Sequence, residues 1–481
     1  MLTVKTSVAT LSLALFSAGS ALAVPGDQTQ PYEGNAAHPT ENCFWKAVSN
    51  DRLWNYVNTD SNSVYQCASY HLPDQARMIV NGEFPRSRYF TFTLYGSVLG
   101  NYYIDQDIIA DEGSINPFIY GNDRHTENRS YTMYLESGFG PDDPADRPAN
   151  TLYHGDPSNA FFGNFLCTRI YVSDQGAEPF GGTPLPEVTL EYEDGRQLTG
   201  ESMCEAVNAL SHGFGVPPQA IGFDLDNYLK LREGARYNEL YVNNTDPSLP
   251  ERPYTHPAQN PPEFKAFFNT DYTMCSFFSP GEDCGDPTYN PDGVGLGNPA
   301  GRYIESYLDQ GFGRVLLLRG KLPRTPQTWE GDQYVPIPKG DDDYYQLRYF
   351  SICPQESLAT WRVGDCIFDE ELAKSVDEEG FYNLVLSRPS WRPTNATPEC
   401  GYVWASTPPA GDGAGDLNLY NMWIRHALPD PRFDEAAQNI MAPNTEETVM
   451  GPYYPRGTYM SLEEFEKRGC ADNLPVPPAA Q

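Results

Sequence analysis

One strand-forming motif occurs twice in this chain, and it constrains the fold more than any other feature. Residues 80–87 read Val-Asn-Gly-Glu-Phe-Pro-Arg-Ser, and residues 318–325 read Leu-Arg-Gly-Lys-Leu-Pro-Arg-Thr. The triplet Arg-Tyr-Phe follows in each half, at once from Arg88 and, after a polar insertion, from Arg348. Self-similarity of this kind indicates one structural unit that is used twice. The sequence therefore predicts an internal duplication.

Further matches follow in the same order along both halves. Residues 131–135 correspond to residues 382–386, residues 147–150 to residues 392–395, and the pair Arg169 and Asp174 to the pair Arg425 and Asp430. An ordered series of matches is harder to explain by chance than a single match, so the series strengthens the prediction.

The residues after the motif have the alternation of a β-strand. Phe90, Phe92 and Leu94 fall on one face, and Tyr89 falls with two threonines on the other, which predicts a half-buried strand. The short apolar runs at residues 78–80 and 315–318 predict strands that are buried on both faces. The Gly-x-x-Pro between the strands is turn chemistry, because glycine permits a positive φ and proline fixes its own φ.

Composition divides the chain and limits its helices. Residues 242–263 hold six prolines among polar residues, which predicts a semi-rigid linker between a first domain at 24–241 and a second at 264–481. The 43 prolines and 41 glycines of the chain argue against long helices. Helices are predicted at 200–212, 226–232 and 302–308, and another after Ser461, where a capping box precedes Gly469.

The first residues have the pattern of a signal peptide. An apolar stretch at residues 8–22 ends in Ala-Leu-Ala, so cleavage is expected after residue 23 and no membrane anchor is expected afterwards. Ten cysteines suit an oxidising compartment, and the prediction is a secreted or periplasmic protein with structural disulfides. All ten are taken as disulfide candidates, with Cys43–Cys67 as the simplest first pairing: Cys43, Cys67, Cys167, Cys204, Cys275, Cys284, Cys353, Cys366, Cys400 and Cys470.

Charge excludes one class of partner. The chain has 65 acidic and 32 basic residues, which gives a net charge of -33. Nucleic-acid binding depends on Lys and Arg contacts to phosphate, so no nucleic-acid partner is expected. An acidic surface keeps a protein soluble, and it also leaves cation binding open.

The run Arg-Tyr-Phe-Thr-Phe-Thr-Leu-Tyr at residues 88–95 resembles a strand of the jelly-roll domain of unknown function found in bacterial exported proteins, the DUF1214/DUF1254 group. Residues 131–135 and 169–174 are similar to its later strands. The resemblance implies antiparallel sheets packed face to face, and it brings no established activity or catalytic residue. The expected fold class is mainly β, with tandem jelly-roll-like antiparallel β-sandwich domains and a few accessory helices.

Catalytic motifs of high specificity are missing from the sequence. No Gly-x-Ser-x-Gly elbow occurs, and His154 and His212 are the two weak candidates for a catalytic base. His154 lies in a loop between predicted strands, and His212 lies near the end of a predicted helix. A polar turn and a helix cap are the structural alternatives for these two side chains.

No cofactor is evident from the sequence, although calcium is possible. The histidine patterns of transition-metal sites are absent. Asp412 and Asp416 are calcium candidates because carboxylate oxygens in glycine-bearing loops suit that ion, but their spacing matches no recognised calcium loop.

Four residues are ligand-binding candidates. Arg88 and Arg348 recur at equivalent places, where they bind an anionic ligand or form buried ion pairs with Asp174 or Asp430. Trp361 and Trp391 flank polar loops and suit sugar binding if they are exposed. The leading hypothesis is a binding protein for a glycan or a small polar ligand. The alternatives are a hydrolase with a His/carboxylate site between the domains and a cell-surface structural or interaction protein.

Overall fold

The computed structural model describes twelve stretches of the chain. They are residues 42–45, 47–49, 59–95, 101–155, 164–209, 258–266, 298, 300–329, 344–356, 363–413, 415–442 and 444–471. Several predictions lie outside the described residues: the signal peptide, most of the linker, the helix at 226–232, His212, Trp361, Cys275 and Cys284.

Ten strands of the first half form two five-stranded sheets. The first sheet has the order β1 (Ala47–Ser49), β2 (Ser63–Tyr70), β8 (Asn164–Ser173), β4 (Ser87–Tyr95) and β5 (Tyr102–Ile104). The second has the order β10 (Gln197–Thr199), β9 (Glu187–Tyr192), β3 (Ala76–Glu83), β6 (Ser130–Glu136) and β7 (Thr151–Tyr153).

Eight strands of the second half form two four-stranded sheets. One has the order β11 (Gly301–Asp309), β17 (Leu419–Pro429), β13 (Leu347–Gln355) and β14 (Ile367–Phe368). The other has the order β16 (Val403–Ser406), β15 (Phe381–Ser387), β12 (Val315–Lys321) and β18 (Arg456–Met460). The described chain is therefore mainly β, as the sequence predicts.

Strand pairing follows one pattern in both halves. The long strand β8 pairs antiparallel with β2 and β4, and β17 pairs antiparallel with β11 and β13. The motif strand β3 lies between β9 and β6, and β12 lies between β18 and β15. The pairs β6–β7 and β15–β16 are parallel, which makes their sheets mixed.

The sheets of each half enclose an apolar core in a sandwich-like arrangement. Phe90, Phe92 and Leu94 of β4 pack with residues of β3 and β6, so the predicted inward face of this strand is confirmed. Phe350 and Ile352 of β13 belong to the corresponding core of the second half.

The opposite faces of these strands differ from the prediction. All residues of β4 except the last are buried, and so are all nine of β13. Strand β3 alternates between buried and half-buried or exposed residues, although its apolar run predicted burial on both faces. The strand β4, predicted to be half-buried, is buried on both faces, because residues of the second half pack against the face that carries Tyr89.

Four α-helices accompany the sheets among the described residues: α1 (Gly200–Ala206), α2 (Asp369–Leu372), α3 (Glu446–Met450) and α4 (Leu462–Arg468). The capping box is confirmed, because the Ser461 hydroxyl accepts from the backbone N–H of Glu464. The predicted helix at 302–308 is wrong, because these residues belong to β11. Its apolar residues are spaced by four, which fits a helix as well as the alternation of a strand.

Among the described residues, eight cysteines form four disulfides, each within one half of the chain. The pairs are Cys43–Cys204, Cys67–Cys167, Cys353–Cys366 and Cys400–Cys470. The expected pairing of Cys43 with Cys67 is wrong, because Cys67 and Cys167 lie directly opposite each other on β2 and β8. Disulfides persist in oxidising compartments, so these bonds indicate an extracytoplasmic protein.

In the part of the chain that the structure describes, no helix is both long enough and apolar enough to cross a bilayer.

Candidate functional site

A buried polar layer joins the two halves and contains a reciprocal pair of ion pairs. Arg88 of β4 donates from Nη1 to both carboxylate oxygens of Asp369, at 2.6 and 2.7 Å, and its Nη2 contacts Glu370. Arg348 of β13 donates from Nη1 to both oxygens of Asp105, at 2.6 and 2.8 Å. Each half thus supplies one arginine to the other and receives one in return.

Both aspartates are also bonded within their own half. Asp105 accepts the backbone N–H of Phe90 at 2.8 Å, and Asp369 accepts that of Phe350 at 2.9 Å. Burial raises the pKa of both carboxyl groups, and the facing guanidinium groups offset part of that increase. The ion pairs therefore occur in a dry environment, where losing one partner leaves an uncompensated charge.

These ion pairs engage the guanidinium groups of Arg88 and Arg348, the two arginines that the sequence predicts as ligand-binding residues. The ligand-binding roles of Arg88 and Arg348 stay predictions. The alternative partners expected for them lie elsewhere: Asp174 contacts Arg124, and Asp430 contacts Arg432 at 2.8 Å.

Aromatic rings fill the layer around the ion pairs. Tyr89 stacks on Tyr171 with ring centroids 4.3 Å apart, and Tyr171 meets Tyr349 of the second half edge to face at 5.2 Å. Asn298 donates to the Tyr89 hydroxyl at 2.6 Å. Tyrosines, arginines and aspartates therefore pack against one another across the described part of this interface.

His154 is buried, and both of its ring nitrogens are hydrogen-bonded. Nδ1 lies 2.7 Å from the carbonyl oxygen of Glu136, which can only accept, so Nδ1 carries the proton. Nε2 then accepts from the Tyr70 hydroxyl at 2.7 Å. Burial lowers the pKa of His154 to about 4, so the ring is neutral near pH 7. This geometry holds the ring in place and leaves no nitrogen for a substrate.

Asp412 and Asp416, the calcium candidates, lie in one loop and form hydrogen bonds with each other. Asp416 donates its backbone N–H to a carboxylate oxygen of Asp412 at 3.0 Å, and the N–H of Asp412 donates to the carbonyl of Asp416 at 3.0 Å. Elsewhere in the structure, a carboxylate oxygen of Asp60 lies near the sulfur atoms of Cys353 and Cys366. Those two cysteines form a disulfide, so their sulfurs are not thiolate ligands.

An arginine–tryptophan surface lies at one end of the sheet β16-β15-β12-β18. We define it by Arg314, Arg388, Trp391, Arg392 and Trp404. The guanidinium carbons of Arg314 and Arg388 each lie 4.9 Å from the Trp391 ring centroid, and that of Arg392 lies 4.5 Å from the Trp404 ring. Both tryptophans are half-buried, and two of the arginines are exposed.

Strand register brings these side chains together. Leu316 of β12 pairs with Leu386 of β15 in an antiparallel ladder, so Arg314 and Arg388 lie opposite each other just beyond its end. Trp404 lies on the neighbouring strand β16, and its indole N–H donates to Ser387 Oγ at 2.9 Å. Strand register therefore places Arg314, Arg388 and Trp404 in one region of this sheet.

The loop that carries Trp391 is fastened to helix α4. Thr394 donates its backbone N–H and its hydroxyl to Glu466, at 3.0 and 2.9 Å, and Asn395 donates to the carbonyl of Gly469 at 2.7 Å. The disulfide Cys400–Cys470 closes the other side of this loop. The surface is thus built on fixed backbone, which favours a preorganised site.

Sequence reasoning identified only one residue of this surface. It named Trp391, which the structure places at the centre, but it did not identify the three arginines or Trp404. The available signal was the spacing Arg-Pro-Ser-Trp-Arg at residues 388–392, in which two arginines flank an aromatic ring.

Comparisons with known proteins add no function. No protein-family model matches the chain, and no curated protein matches it. A putative uncharacterized protein from Burkholderia cenocepacia is similar in structure, with a TM-score of 0.41, 11% identity, and coverage of 87% of this chain and 82% of its own. A Vibrio parahaemolyticus protein has a TM-score of 0.35, 10% identity, and coverage of 80% of this chain and 89% of its own.

Proposed function

We propose that this chain is an exported binding protein, secreted or periplasmic, for a glycan or another small polar ligand. The observation that carries the proposal is the arginine–tryptophan surface, where fixed aromatic rings and guanidinium groups remain partly exposed. Binding sites for polar ligands combine flat apolar groups with a few oriented hydrogen-bond donors. Trp391 holds the two flanking guanidinium groups in place, and their N–H groups are the donors for the ligand.

Guanidinium stacking suits this role because it leaves the hydrogen-bonding edge of the group available. An arginine that stacks on an indole uses its flat face, whereas its N–H bonds lie in the plane of the group. Arg388 uses one N–H on the carbonyl of Leu417. For Arg314, the contact with Trp391 is the one that the structure shows among the described residues.

The proposed architecture is a tandem duplication of jelly-roll-like domains, with boundaries at 24–241 and 264–481 and membership of the DUF1214/DUF1254 group. The matching strand pairing of the two halves supports the duplication. The repeated glycine adds support, because Gly82 lies opposite Tyr131 and Gly320 lies opposite Tyr382 in equivalent ladders.

The test is a glycan array probed with the exported chain in its oxidised form. We expect binding to a restricted set of saccharides, with loss of that binding in Trp391→Ala, since the variant releases both guanidinium groups. Tyr120→Ala is the matched control, because it removes another exposed ring, 55% accessible, from the first half. Binding that survives Trp391→Ala, or an array with no signal, would remove the proposal.

The hydrolase and the structural or interaction protein remain alternative predictions. His154 supports the hydrolase weakly, because both ring nitrogens are engaged. His212 lies outside the described residues. Turnover of ester, glycoside or amide substrates that is lost in His212→Ala would favour the hydrolase.

A further inference from the structure

We propose that the ligand of the arginine–tryptophan surface is an anionic saccharide, an oligomer of uronic acids, whose carboxylates are bound by Arg314, Arg388 and Arg392. The inference rests on the proposed function and names its ligand class.

The first support is that, in the part of the chain that the structure describes, no carboxylate pairs with the arginines of this surface. Among the described residues, none of the three arginines forms an ion pair with a carboxylate. The chain has about twice as many acidic residues as basic ones, 65 against 32, so carboxylates that could pair with an arginine are abundant. Three neighbouring arginines without such partners form a positive surface on a strongly acidic protein.

The equivalent sheet end of the first half provides a contrast. Arg77 lies there, at the corresponding end of β3, and its guanidinium carbon is 5.2 Å from the Tyr134 ring centroid. Arg77 is neutralised by Glu136 at 3.4 Å and by Glu191 at 2.6 Å. At this end of the sheet, both halves place an arginine over an aromatic ring, but among the described residues only the arginine of the first half is paired with carboxylates there. In the second half, the carboxylates that pair with the arginines of the surface can come from a ligand.

Arginine chemistry identifies the anion. The planar guanidinium donates two parallel N–H groups, which match the two oxygens of a carboxylate. Arg388 has a buried Nε for which the described residues provide no hydrogen-bond partner. Burial also lowers the pKa of Arg388, because its charge is partly removed from water. A carboxylate at this position would compensate that charge.

The extent of the surface indicates an oligomer. Two of the guanidinium groups contact the Trp391 ring. The third, that of Arg392, contacts Trp404 on the neighbouring strand β16. A chain of uronic acids presents one carboxylate per sugar, so successive sugars can reach successive arginines. Sugar hydroxyls and C–H groups can contact the indole edges between them.

The experiment uses isothermal titration of the exported chain with oligo-uronates of several linkages and with their methyl esters. The esters keep the sugar rings and remove the charge. We expect the acids to bind more tightly than the esters, and to bind less tightly as salt is raised. Arg314→Gln should weaken binding of the acids about tenfold, in line with the loss of one charge-assisted contact, and should leave the weak binding of the esters unchanged.

Arg77→Gln is the matched control, because it removes the same charge from the equivalent sheet end and should leave affinity unchanged. Equal affinity for acid and ester, with loss of both in Trp391→Ala, would overturn the anionic ligand and leave the proposed function standing. Equally tight binding of poly-glutamate would overturn the saccharide part. Failure of every oligo-uronate to bind would overturn the inference, and the array then decides the proposed function separately.

Discussion

Replacing Arg88 with methionine should destabilise the protein strongly. Its guanidinium is fully buried against Asp369, which is also fully buried, and Nη1 lies 2.6 Å from one carboxylate oxygen. Removing one partner of a buried ion pair costs about 3–5 kcal/mol, because the remaining charge has lost its compensation. A typical domain is stable by about 5–15 kcal/mol, so this loss is a large fraction of the total.

The assay is equilibrium urea unfolding of the wild type, Arg88→Met, Asp369→Asn and the double variant. The effect of the double variant should be smaller than the sum of the two single effects, because the second change removes one of the two carboxylate charges, Asp369 and Glu370, that the first left unpaired. Arg77→Met is the control. Its side chain is 41% exposed, and its ion pair should contribute about 0–1 kcal/mol. Additive effects, or an Arg88→Met cost no larger than the control, would refute the buried ion-pair interface.

Three further predictions concern stability. Burial lowers the pKa of His154 to about 4, so the free energy of unfolding should fall by about 3 kcal/mol at most as the pH drops below 6.5, the pKa of an unfolded histidine. The variant His154→Gln should reduce this pH dependence, as measured by urea unfolding at several pH values. Burial raises the pKa of Glu371 to about 7, so its contribution is lost as the pH rises, and Glu371→Gln should raise the melting temperature at pH 8 but not at pH 4. A Cβ on Gly82 would overlap the Tyr131 hydroxyl, and one on Gly320 would lie 2.8 Å from the hydroxyl of Tyr382, so either alanine variant should cost about 1–3 kcal/mol in urea unfolding.

The sequence predicted the inward faces of the motif strands well. Alternation at Phe90, Phe92 and Leu94 depends on local periodicity, and local periodicity is visible in a single sequence. The capping box at Ser461 was found for the same reason, since its two partners are three residues apart.

Long-range contacts were harder to predict. The face of β4 that carries Tyr89 was predicted to be the exposed one because two threonines share it, yet the other half of the chain covers this face. Nothing local to Arg88 indicates Asp369, which is 281 positions away. Disulfide pairing failed likewise, because Cys67 and Cys167 are 100 positions apart and meet through strand register.

The candidate site was partly predictable. Trp391 was identified because it flanks a polar loop, and a tryptophan ring exposed beside such a loop suits sugar binding. Arg314 and Trp404 could not be connected with it from the sequence, since Arg314 directly precedes β12, Trp404 lies on β16, and only the pairing of these strands with β15 brings them into the same region.

The most direct test of the central claim is hydroxyl-radical footprinting of Trp391, read by mass spectrometry with and without the saccharide that binds best. The ligand should protect Trp391 from oxidation, whereas Met441, which is 79% exposed in a different part of the chain, should be oxidised equally in both samples. Equal oxidation of Trp391 with and without saturating ligand would contradict the account, because the ligand would then bind elsewhere.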